Sequence, residues 1–149
     1  MSLCLATAAI AITLSLPTFT LRWEHSVEKT AWEERWRAGP EGLVLEEARI
    51  KGSGAGMEPP DDAELVGGWW TYPGHMPPQR RIRLAVSSAT RGGWQICTPK
   101  NVCRDIEQLL TVRGRPPQMI EISQARTCAR LPAPPRQPSA PGPVAGPPA

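Results

Sequence analysis

Between positions 19 and 25 the side chains alternate without a break. Phe19, Leu21, Trp23 and His25 fall on one side of an extended backbone, and Thr20, Arg22 and Glu24 on the other. A period of two marks a β-strand with one buried face. After an interruption at residues 26–29 the period returns, with Thr30, Trp32, Glu34 and Trp36 on a common side. Helical spacing also pairs Trp32 with Trp36, but the bulky indoles and the Gly39-Pro40 that follows favour a strand. The 18 prolines and 13 glycines are scattered between such runs and leave little room for long helices. Residues 42–51 read as another strand, although Leu43 and Leu45 fall out of phase with Ala48 and Ile50. Shorter strands are expected at 69–72, 81–87 and 94–97, and 102–112 reads as a strand or a short helix. The expected fold is all-β, a small antiparallel sandwich or a partly open barrel.

At 149 residues the chain has the length of one domain. The boundary is expected after residue 112, with 113–149 a poorly ordered tail. Residues 131–149 contain eight prolines and a single charge at Arg136, too little apolar surface to offset chain entropy. Phe19 and Tyr72 stand alone in their types, so indoles must supply the aromatic burial, and Trp32, Trp36, Trp69, Trp70 and Trp94 are the first core candidates. The N-terminal apolar stretch, with Ile10, Ile12, Leu14 and Leu16 alternating against Ala11, Thr13 and Ser15, reads as a hairpin. It lacks the positive flank of a secretion signal and is too short for a membrane span.

The net charge of +3 conceals an asymmetry: residues 1–60 hold six Lys or Arg against eight Asp or Glu, and the rest hold eleven against six. Arg81 and Arg83 alternate with Ile82 and Leu84, so the cations read as the wet face of a strand. Neither interleaved aromatics nor a basic helix accompanies them, and no nucleic-acid partner is expected.

His25 is the most chemically suggestive residue. With Glu28 it forms HxxE, but the second histidine, His75, lies fifty residues away in a proline-rich stretch, so a metal set is not expected. The glycine-rich run from Gly52 to Gly56 resembles the start of a phosphate loop. It continues into Met57, Glu58, Pro59 and Pro60, which cannot form the helix whose N-terminal amides would hold an anion. No catalytic set and no cofactor is predicted. Each motif ends a strand, and if the two loops meet, His25, Ser26, Glu28, Gly54, Gly56 and Glu58 would line a small polar cleft, the candidate ligand site. Among the four cysteines no CxxC pair occurs. Cys97 and Cys103 bracket a five-residue turn containing Pro99 and Asn101, which would bring their Cα atoms to roughly 4.5–5.5 Å as a candidate disulfide. Cys4 reads as a core residue and Cys128 as part of the tail.

Taken together, HSVEKTAWEERW at 25–36 and GSGAGMEPP at 52–60 resemble a functionally uncharacterised family of small bacterial domains, over roughly residues 3 to 110. Members of that family are often encoded beside TAXI-type tripartite ATP-independent periplasmic (TRAP) transporters. The resemblance implies a non-enzymatic accessory or binding module in the cell envelope or periplasm, with a transporter component or its solute as partner. Two readings compete with it: a small hydrolase or metal-dependent enzyme using His25 with Glu28 or Glu58, and a purely structural interaction domain.

Overall fold

A computed structural model describes residues 1–25, 30–51, 59–86 and 90–133, with the backbone alone at 25 and 90–92. The strands are β1 (Ser2–Ala6), β2 (Ala11–Leu14), β3 (Thr18–His25), β4 (Ala31–Gly39), β5 (Gly42–Lys51), β6 (Glu64–Val66), β7 (Trp69–Pro73), β8 (Arg81–Ala85), β9 (Thr90–Cys97), β10 (Cys103–Asp105) and β11 (Met119–Ala125). One short helix, α1 (Ile106–Leu110), is capped by the Asp105 carboxylate, which accepts from the Gln108 amide at 3.2 Å. The strands form two antiparallel sheets, one ordered β2-β1-β11-β8 and the other β10-β9-β3-β4-β5-β7-β6. Neither closes on itself, so the architecture is a sandwich.

Each sheet contributes its apolar alternate positions to a common core. Leu3 and Leu5 of β1, Ile120 and Ile122 of β11 and Leu84 of β8 meet Phe19, Leu21, Trp36, Leu43, Leu45 and Ile96 of the larger sheet, and Ile106 and Leu110 of α1 complete the cluster. The alternation at 19–24 and 31–39 therefore means what its period implied. The opening hairpin is β1 paired with β2, and Arg81 and Arg83 face solvent while Leu84 is buried. Both guanidiniums instead approach the Glu121 carboxylate, at 3.9 and 3.4 Å.

The phase slip in β5 has a structural cause. Register against β4 runs Arg35 to Glu47 and then Trp36 to Leu45, so Glu46 is an extra residue in a β-bulge. A bulge advances the alternation by one, which puts Leu43, Leu45, Ala48 and Ile50 all in buried positions. Gly74 closes over this spot. Its amide donates to the Glu46 carbonyl at 3.1 Å, and a Cβ at 74 would fall on the carbonyl oxygen of Leu45.

Three expectations are corrected. The domain does not end at 112, because β11 lies inside the smaller sheet, paired with β1 on one side and β8 on the other. Of the five tryptophans expected in the core only Trp36 is buried; Trp32, Trp69, Trp70 and Trp94 are half-buried. Trp32 and Trp70 lie one residue from strand ends, and Trp69 alternates onto the outer face, which the smaller sheet does not cover. Cys4 is not an inert thiol. Alternation turns it away from the core, where the chain leaving β11 folds back and Cys128 meets it in a disulfide. Cys97 and Cys103 are direct cross-strand partners and form the second disulfide, with a Cα separation of 4.0 Å, slightly closer than the turn implied. Asn101 takes a left-handed conformation (φ 65°) at that turn.

Candidate functional site

Register places the ends of several strands on one edge. Glu24 of β3 pairs with Ala31 of β4, Ala31 with Lys51 of β5, and Lys51 with Trp69 of β7. His25, the last residue of β3, pairs with Thr90, the first of β9. The end of β3 before residues 26–29, the end of β5 before residues 52–58 and the start of β9 after residues 87–89 therefore all lie at the same end of the larger sheet. Ser26, Glu28, Gly54, Gly56 and Glu58 lie outside the described residues, and of His25 only the backbone position is described.

What the structure does describe immediately inside that edge is aromatic. Trp23, Trp32, Ile50 and Trp70 are successive register partners across β3, β4, β5 and β7. They form one cross-strand row on the inner face. Trp23 and Trp32 stack with ring centroids 5.7 Å apart, and Trp94 leans on Trp23 at 4.5 Å. The Trp94 indole N–H donates to the Ala85 carbonyl at 3.2 Å, fixing the cluster to β8. On the outer face Trp69 carries the Arg49 guanidinium at 4.5 Å and the Lys51 ammonium at 5.6 Å over its ring. The β6–β7 turn, Gly67-Gly68 with φ of 59° and 86°, leaves Leu65 and Val66 exposed at the same end.

Two carboxylates flank this region with opposite environments. Glu33, on the outer face, is buried between its direct register partners Arg22 and Arg49. It accepts from Arg22 through Nε (2.9 Å) and Nη2 and from Arg49 Nη1 at 3.3 Å. Glu34 faces inward, where its Oε2 accepts from the Trp36 indole N–H at 3.0 Å. Burial holds the Glu34 carboxyl above its ordinary pKa, and the Trp36 bond partly opposes that rise. Tyr72, across the small Ala48 from Glu34, is raised by burial and by the Glu34 charge. Alternation alone signals Glu34, a carboxylate in phase with Trp32 and Trp36.

On the outer face a polar groove of about 310 Å³ runs between Thr20, Glu33, Arg35, Glu47, Arg49 and the Thr98–Asn101 turn. Its charges are mutually compensated, Arg35 by Glu46 and Glu47 and Arg49 by Glu33. His75 pairs with Asp62 at 2.8 Å in the exposed segment around β6 and β7. Among the described residues no group of three or more His, Cys, Asp or Glu could hold a metal ion, and no helix is long and apolar enough to cross a membrane.

A family model described as "Domain of unknown function (DUF1850)" matches residues 19–104. The chain belongs to this family. The match runs from β3 into β10 and so takes in the larger sheet and β8, whereas β1, β2, α1 and β11 lie outside it. No curated protein and no solved structure matches.

Proposed function

We propose that this DUF1850 protein is a non-enzymatic binding module whose recognition end is the edge from which residues 26–29, 52–58 and 87–89 emerge, and that it serves a TRAP-type solute transporter. The observation that carries the reading is the half-buried row Trp23, Trp32 and Trp70, set one or two residues inside the strand ends on the edge from which both sequence motifs emerge. Half-buried indoles offer large rigid contact area with little entropy left to lose, the character of recognition surfaces rather than of interiors. Loops on a rigid sheet are where binding side chains concentrate, and His25, Ser26, Glu28, Gly54, Gly56 and Glu58 would supply the polar contacts. The transporter association rests on the resemblance of the HSVEKT and GSGAGMEPP motifs. Two disulfides suit an oxidising compartment such as the periplasm.

The test is retention. Tagged protein co-expressed with transporter genes adjacent to its own should retain a transporter subunit, and Trp32→Ala and His25→Ala variants that still fold by circular dichroism should lose it. Retention unchanged in both variants, or a hydrolytic activity that disappears in His25→Ala while retention persists, would overturn the reading.

A further inference from the structure

The smaller sheet carries a groove of about 750 Å³ that lies entirely outside the residues matched by the family, within the size range of small-molecule sites. Its floor is apolar: Ala8 from the β1–β2 turn, Leu110 from the end of α1, Met119 at the start of β11 and Leu131 from the segment that returns past Cys128. Its rim carries two cations, Arg113 and Arg115.

The groove is held in shape from several sides. The Thr7 hydroxyl accepts from the Ala9 and Ile10 amides at 3.1 and 3.2 Å, and the Leu131 amide donates to the Thr7 carbonyl at 2.9 Å. The Cys4–Cys128 disulfide anchors the returning segment beside β1. The arginines sit on a tight turn in which Val112 and Arg115 exchange backbone hydrogen bonds of 3.2 and 3.0 Å. Both central residues are left-handed, Arg113 at φ 51° and Gly114 at φ 73°. An arginine in that region is disfavoured, so the turn keeps a guanidinium where asparagine or glycine would fit more easily.

Charge decides what the groove suits. Arg22, Arg35, Arg37, Arg49, Arg81 and Arg83 each meet a carboxylate. Among the described residues Arg113 and Arg115 meet none; Arg80, Arg104, Arg126 and Arg130 are likewise without one, but only Arg113 and Arg115 line the groove. Two uncompensated guanidiniums beside an apolar floor complement a molecule with one hydrocarbon chain and one anionic head. The planar donor fork of arginine matches a carboxylate through two parallel hydrogen bonds.

We propose that this groove binds a free single-chain carboxylate, its alkyl chain along Leu110, Met119 and Leu131 and its head on Arg113 and Arg115. The probe is decanoate below its micelle concentration, titrated into the full chain carrying 13C-methyl methionine. Saturable binding that shifts the Met119 methyl signal is expected, with decanol, the uncharged analogue, binding about tenfold more weakly. In Arg113→Asn combined with Arg115→Gln, where asparagine preserves the left-handed turn, decanoate should weaken to the level of decanol and decanol should be unaffected. Decanol binding as tightly as decanoate, undiminished decanoate binding by the double variant, or decanoate binding without a Met119 shift would each overturn the proposal. So would adsorption to phosphatidylglycerol vesicles without any binding of free decanoate, which would assign the two arginines to a lipid surface instead.

Discussion

Glu33 and Glu34 are adjacent in sequence and opposite in setting, and their replacements should act in opposite directions. Glu34 has a folded-state pKa above its unfolded one, so the folded protein holds its proton more tightly. Its contribution to stability is present at low pH and is lost as pH rises through the carboxylate range. Glu34→Gln retains an oxygen for the Trp36 indole and removes the buried charge. Near neutral pH it should raise the melting temperature by about 2 to 4 °C, and thermal melts in acidic buffer should show that gain shrinking. Glu33→Gln instead removes the shared partner of Arg22 and Arg49, at a cost of about 1–2 kcal/mol after allowance for their half-exposed guanidiniums. Chemical denaturation should show a lower midpoint with an unchanged slope. Gly74→Ala pushes a methyl into the backbone of Leu45 and should cost at least about 2 kcal/mol by the same measurement.

At the scale of elements, β3, β4 and β5 were legible because each has one buried face, which writes a period of two into the sequence. The slip between Leu45 and Ala48 in β5 looked like weak patterning and is a bulge, visible only once β4 supplies the opposing register. β11 was not legible. Only Ile120 and Ile122 mark it, next to Pro116 and Pro117, and its pairing comes from β1 and β8, both distant in sequence. The candidate site divides the same way. Its motifs stand out in the sequence, but the Trp23, Trp32, Ile50 and Trp70 row exists only through inter-strand register, which no single strand encodes. The two disulfides also act on different elements. Cys97–Cys103 closes a separation of 6 residues and Cys4–Cys128 one of 124; in the chain-entropy account their removal by Cys→Ser costs about 2 and about 5 kcal/mol respectively. Paired serine variants compared by denaturation should rank in that order.

For the whole molecule, the smaller sheet joins the segments that flank the family match on either side. Truncation after Val112 removes β11, leaves β1 and β8 without their shared neighbour and bares Leu3, Leu5 and Leu84. Such a fragment should fail to give a cooperative melt, whereas the full chain gives one. The β1–β11 pairing also bears on how the protein is made. At a synthesis rate of about 5–20 residues per second, Cys4 leaves the ribosome roughly 6 to 25 s before its partner 124 positions later. Until β11 is made, β1 and β8 lack the strand that joins them and the inner face of the larger sheet is incompletely covered, so a nascent chain is an aggregation hazard and a client for holding chaperones until that strand arrives.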